Sequence, residues 1–151
     1  MRRLLLTAAI VLAAALPAHA ALKTGATAPD FKAPASLAGK PFDFSLAQAR
    51  KTGPVVVYFY PSAYTGGCNV QAHAFAEEAD AYKAAGANII GVSQDSIARL
   101  NAFSADPEYC AGKFPVASDA DGAISKSFDL KTMQGVPGMK DSRGADIDHA
   151  F

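Results

Sequence analysis

Val55-Val56-Val57-Tyr58-Phe59-Tyr60 is an unbroken run of β-branched and aromatic residues between Gly53-Pro54 and Pro61. A strand with no polar side needs cover on both faces, so the run predicts a position in the middle of a sheet flanked by helices. Pro61 ends it, because proline cannot donate to a ladder. Beyond Gly66-Gly67 the period changes. Val70, Ala72, Phe75, Ala76, Ala79 and Tyr82, with Glu77, Glu78 and Lys83 between them, mark an amphipathic helix running to about Ala85-Gly86. Cys68 falls in or just before its first turn. There, unpaired backbone N–H groups and the positive end of the helix dipole favour an anion, and the thiolate is the reactive form of cysteine. Thr65, three residues earlier, can cap the helix or donate a hydrogen bond to a bound substrate.

The rest of the chain reads as support for this strand-to-helix step. Leu22 to Pro34 is extended, with Phe31 as its anchor. Leu37 to Leu46 is a hairpin turning at Ala38-Gly39-Lys40-Pro41, and Ser45 caps one helical turn to Arg50. Asn88 to Ser93 is a second buried strand, reached by a helical crossover and so parallel to the first. Asp95 or Ser96 caps a helix with Ile97, Leu100 and Phe103 on its apolar face, and Pro107 breaks or restarts that helix just before Cys110. Phe114 to Ala117 is a short strand. Ser118-Asp119-Ala120-Asp121-Gly122 makes a turn and cap ahead of a helix over Ala123–Phe128; it lacks the twelve-residue spacing of a calcium loop. His73 lies about 140° round the helix from Cys68, so the two cannot share a metal on one face. The β-α-β alternation gives an α/β sandwich.

Arg2-Arg3, an apolar run from Leu4 to Leu16 and Ala18-His19-Ala20 read as a secretory signal peptide cleaved after Ala20, leaving one domain over residues 21–151. Its removal takes two of the fourteen basic residues, leaving twelve against fourteen acids and a formal charge of −2. That balance offers no reason to expect nucleic acid or an anionic membrane as partner. Export to a periplasm follows as the expectation.

Pro61, Thr65 and Cys68 reproduce the Pro-x-x-x-Thr-x-x-Cys signature of the peroxiredoxins, and Gly25-Ala26-Thr27-Ala28-Pro29-Asp30-Phe31 resembles their N-terminal segment. With the Ser118–Gly122 turn, the resemblance runs from about Gly25 to Leu130 and is nearest the bacterioferritin-comigratory-protein, or Q-type, group. It implies a thioredoxin-like fold and reduction of hydrogen peroxide or organic hydroperoxides through a sulfenic acid at Cys68. It also implies that Thr65 bonds the peroxide, that Pro61 shields the pocket, and that an arginine helps. Many Q-type relatives carry a resolving cysteine at the position that is His73 here; the resemblance to others, which carry it in the helix after the next strand, implies Cys110 as resolver, with an external thiol as the alternative. No metal or organic cofactor is implied. The expected reductant is a thioredoxin-like dithiol and the expected state a monomer or weak dimer.

The tail from Lys131 to Phe151 departs from this pattern. Two further strands, the first opening with the arginine, and a final helix are expected and not found. The sequence reads as cut short of them, leaving an open sheet edge, and Arg143 is not assigned the arginine's role. Three other readings stay open. Cys68 and Cys110 could form a merely structural disulfide. The chain could be a general thiol-disulfide oxidoreductase, against which stands the lack of Cys-x-x-Cys. It could also be a non-catalytic remnant or binding module.

Overall fold

The computed structural model describes residues 21–150, so the signal-peptide reading lies outside the described residues. The elements in chain order are β1 (Lys32–Leu37), β2 (Lys40–Ser45), α1 (Leu46–Ala49), β3 (Val55–Phe59), α2 (Gly66–Ala84), β4 (Asn88–Ser93), α3 (Ile97–Ala105), β5 (Val116–Ser118) and α4 (Ala123–Ser127). They build one mixed sheet in the order β2-β1-β5-β4-β3. β3, β4 and β5 run parallel through helical crossovers, while β1 is antiparallel to β5 and β2. The α/β architecture is as expected from the sequence.

Period-two alternation in the parallel strands sends residues to two cores. Tyr58, Tyr60, Ile89 and Val116 face α2 and α3, meeting Ala72, Ala76, Leu100 and Phe103. Ile90, Val92 and Ala117 face the other way, toward Phe31, Phe44, Leu46 and Ile124. Gly91 stands opposite Tyr58 in the β3–β4 register, and a Cβ there would lie 2.8 Å from the Tyr58 ring. The glycine makes room for the ring to cross its neighbour strand.

Three expectations need correction. β3 is at the edge of the sheet, not its middle, and Val55, Val56, Val57 and Phe59 are only half-buried. Composition reports how much cover a strand wants; its place depends on which strands pair with it, and among the described residues none follows β5. The hairpin's first strand starts back at Lys32, in the part read as merely extended, because Ala35 and Ser36 also pair with β5. Finally, α3 ends at Ala105 and Cys110 sits in a turn beyond it, not in a helix. Pro107 does not restart the helix: Asp106 leaves helical geometry with φ −64° and ψ 119°, as a residue preceding proline favours.

The tail is not a loose appendage. After α4 it has no named strand, but an isolated bridge joins Lys140 and Asp146, and Ile147 and Asp141 are buried. None of the helices among the described residues is long and apolar enough to cross a membrane.

Candidate active site

The parallel strands β3, β4 and β5 point their C-terminal ends the same way, and the loops leaving those ends form the site, the usual arrangement in open α/β sheets. Cys68 is the third residue of α2, 8% exposed, at the turn whose backbone N–H groups lack helical partners. Gly66 and Gly67 are exposed with no other atom within 4 Å of where a side chain would start, so the approach to this turn is open. Thr65 occupies the N-cap position but its side chain does not cap the helix. Its hydroxyl instead donates to the Ser62 carbonyl at 2.8 Å. That oxygen keeps free acceptor capacity, and the proton is available to another acceptor once the bond to Ser62 is released. Pro61 is exposed at the end of β3. The residue between Ala63 and Thr65, Tyr64, has φ +63°, a left-handed conformation costing a non-glycine residue about 1–3 kcal/mol unless the surroundings enforce it.

The surroundings do enforce it. The Tyr64 ring is 1% exposed and meets Phe103 and Tyr109 edge-on, at centroid distances of 5.0 and 5.5 Å. The Arg143 guanidinium lies 3.1 Å from its ring centroid and that of Arg99 lies 5.6 Å away. The Tyr64 carbonyl accepts from Ser142 N–H at 2.8 Å. Arg143, set aside on sequence, thus joins the structure around the thiol loop by packing on Tyr64 and pairing with Asp141 at 3.1 Å.

Beneath the loop lies a carboxylate that sequence reading considered only as a possible helix cap. Ser96, whose Oγ accepts from Arg99 N–H, caps α3; Asp95 is fully buried instead. It accepts hydrogen bonds from Ser62 Oγ (3.0 Å), Ala63 N–H (2.7 Å) and Ser93 Oγ (2.7 Å). Arg99 Nε and His149 Nε2 stand at ion-pair distance, 2.9 and 3.2 Å from Oδ1, although neither N–H is aimed at a hydrogen-bonding partner. Arg99 Nη2 bonds the Ala63 carbonyl at 2.9 Å and Asp141 at 2.7 Å. The signal available in sequence was the i,i+4 spacing of Asp95 and Arg99. Burial alone would raise the Asp141 carboxyl, but hydrogen bonds from Ala145 and Arg143 and the charge of Arg99 outweigh it and hold the group below the usual carboxylate range.

Both cysteines are free, and both belong to the core between the sheet and α2/α3. Cys110 is completely buried; burial first, then the nearby Asp106 charge, pushes its thiol up to about 12. The Tyr58 hydroxyl, buried without a hydrogen-bond partner, is raised by burial and further by the proximity of Cys110 and Cys68. The Tyr58 ring belongs to the same core cluster as both thiols. His73 is an exposed helix residue whose Nδ1 lies 3.0 Å from the Glu108 carbonyl, tying α2 to the turn that carries Cys110.

The AhpC/TSA family's sequence profile matches residues 24–143. The chain belongs to the AhpC/TSA family, the peroxiredoxins. Peroxiredoxin Bcp of Escherichia coli K12 is 34% identical over 140 residues, 86% of this chain and 85% of that protein. The crystal structure of peroxidoxin BcpB from Mycobacterium tuberculosis superposes with a TM-score of 0.65 at 32% identity, covering 78% of this chain and 71% of that one. A mutant of Xanthomonas campestris peroxiredoxin Q gives a TM-score of 0.56 at 35% identity, over 66% of this chain and 61% of the other. These likenesses place this peroxiredoxin in the Bcp/Q-type group, with the thioredoxin-like fold and thiol-dependent peroxidase activity. A cavity of about 230 Å³ also opens beside Pro61, lined by Phe59, Val92 and Leu130 among others. Neither Cys68 nor Thr65 lines it, so in this peroxiredoxin it is not the thiol's pocket. Among the described residues no group of three or more His, Cys, Asp or Glu is placed to hold a metal.

Proposed function

We propose that Cys68 is the peroxide-reactive thiol. The observation that carries this reading is the placement of Cys68 in the first turn of α2, three residues beyond Thr65 and immediately after the strained loop from β3. The Cys68 thiolate attacks the terminal oxygen of a hydroperoxide. The O–O bond breaks, the departing oxygen takes a proton to leave as water or an alcohol, and the sulfur is oxidised to the sulfenic acid. Backbone N–H groups of the first turn stabilise the developing oxyanion, and Thr65 turns its hydroxyl from Ser62 to the peroxide. Pro61 shields the thiol from water.

Cys110 resolves the sulfenic acid. Its thiolate attacks the Cys68 sulfur, an S–S bond forms, and hydroxide leaves as water after protonation. Bridging needs Cα atoms within about 7 Å and a deprotonated Cys110, so the 106–112 turn and the start of α2 open first. Left-handed Ala111 and Gly112 in that turn, the first a non-glycine residue in a sparsely populated conformation, support opening there. An external dithiol of the thioredoxin kind returns both cysteines to thiols. The chain acts as a monomer or weak dimer after export to the periplasm, with cleavage after Ala20, and the chemistry needs no metal or organic cofactor.

The test is peroxide consumption under dithiothreitol by wild type, Cys68→Ser and Cys110→Ser, with intact mass after one equivalent of peroxide. Activity lost in Cys68→Ser, and a loss of two hydrogens in wild type but not in Cys110→Ser, are the expected results. A folded wild type no faster than Cys68→Ser would end the reading. A sulfenic acid that persists in wild type would leave resolution to the external thiol.

A further inference from the structure

We propose that Asp95 is a positioning residue for Cys68, acting through the Ser62 hydroxyl and the Ala63 backbone without touching substrate. The proposal rests on Cys68 being the peroxide-reactive thiol. Its physical basis is the number of segments that meet on one buried residue, two of them at its carboxylate and a third at its backbone carbonyl. The β3–α2 loop donates through Ser62 Oγ and Ala63 N–H, and the end of β4 through Ser93 Oγ. The end of β5 donates through Ser118 Oγ to the Asp95 carbonyl at 2.6 Å. Arg99 then closes a ring: its Nε sits beside Asp95 Oδ1 and its Nη2 holds the Ala63 carbonyl. Ala63 is thereby gripped at both N–H and C=O.

That grip is applied where the chain needs it. Tyr64, next in sequence, must take a left-handed conformation, and Thr65 beyond it supplies the carbonyl that accepts the helical N–H of Asn69. A displaced Ala63 peptide shifts Tyr64, then the N-cap, then the first-turn N–H groups around Cys68. Thr65 cannot anchor the loop independently, because its hydroxyl bonds back onto Ser62. A buried carboxylate is a costly way merely to fill space, whereas as an acceptor for three separate donors it fixes their directions.

Asp95→Asn keeps the shape but sets an amide N–H₂ against groups that must donate. The measured quantity is the ratio of two rates at Cys68: oxidation by hydrogen peroxide, which requires an aligned pocket, and alkylation by iodoacetamide, which does not. A misplacement of the order of 1 Å can cost about 10²-fold, so the ratio should fall by about tenfold or more in Asp95→Asn. Removing one donor in Ser62→Ala should lower it by about threefold. Loss of stability alone would not move the ratio. Amide exchange across 63–68, read in the same proteins, should accelerate in both variants. If Asp95→Asn does not fold, Ser62→Ala carries the test. A ratio within about twofold of wild type in the folded variants overturns the proposal. If wild type itself reacts with peroxide no faster than Cys68→Ser, the peroxidase reading has failed, and the exchange data decide: unchanged protection at 63–68 overturns positioning, and faster exchange supports it.

Discussion

Cys68 and Cys110 share one core, have Tyr58 in common, and are both free, yet the chain treats them differently. Cys68 lies in the first turn of a nineteen-residue helix, with exposed glycines before it and backbone donors around it. Cys110 lies in a turn, has no exposed surface, and is pushed up to about 12 by burial and by Asp106. The difference is one of access: the thiol near the helix start has an open approach, and the thiol in the turn is held away from solvent, which suits the two roles proposed for them.

The largest expected effect is in reactivity. At pH 8 a thiol titrating near 12 is only about 10⁻⁴ ionised, so Cys110 should alkylate in the native protein at least ~100-fold more slowly than Cys68. A time course with iodoacetamide, resolved by peptide mass, measures this. Comparable rates would erase the contrast.

Tyr64 joins the two regions, since its ring touches Tyr109, the neighbour of Cys110, while its backbone leads to Thr65 and Cys68. Tyr64→Ala should destabilise the fold by about 3 kcal/mol, as for other large-to-small aromatic changes in a core. It should also raise the alkylation of Cys110 more than that of Cys68. Urea unfolding and the same mass assay read both. A variant that loses stability while Cys110 stays as protected as before would show that the ring does not couple the two segments.

Cys110 also gives stability an alkaline slope. Its thiol is raised in the folded state, so above about pH 8.5 the unfolded chain releases a proton that the folded chain retains. Stability is full below that pH and falls as pH rises toward 12, by at most about 1.4 kcal/mol per unit. Cys110→Ala should flatten the slope between pH 8.5 and 10.5 in denaturant titrations. An identical slope in the variant would mean that the burial does not hold the proton.

How much of this was legible follows the range of the interactions. The Val55–Tyr60 run, the helix period from Val70 to Tyr82 and the Ser118–Gly122 turn and cap are local patterns, and the structure has all three, with Asp119 accepting from Ile124 and Ser125 N–H at 2.8 Å each. The edge position of β3 was not legible, because a strand's neighbours are set by distant segments. The same holds for the clasp around Tyr64. Ser142 and Arg143 lie in a glycine-rich acidic tail with no period, and only the fold brings them to residue 64. Asp95 read as a cap because its sequence position suits one; three long- and short-range donors converging on it are visible only in three dimensions. The strand and helix that place Cys68 were therefore legible, and the groups holding its loop were not.

The smallest predicted effect concerns the far end of that clasp. Asp141 receives N–H groups from Arg143 and Ala145 and the guanidiniums of Arg99 and Arg143. Its folded-state carboxyl is lowered despite burial, so its contribution to stability is present above the unfolded value of about 3.9 and is lost as pH falls through the lower folded value. Asp141→Asn should therefore weaken the protein slightly at neutral pH, and the difference from wild type should shrink below pH 4. Because Asp141 orients Arg99, which holds the Ala63 carbonyl, the variant should also speed amide exchange around Tyr64 while leaving the turn at Cys110 unchanged. Acid titrations of the two proteins and exchange at these two segments check both statements. Equal loosening at Cys110 would show that the clasp spans both regions, and the separation between a held loop and a buried turn would have to be redrawn.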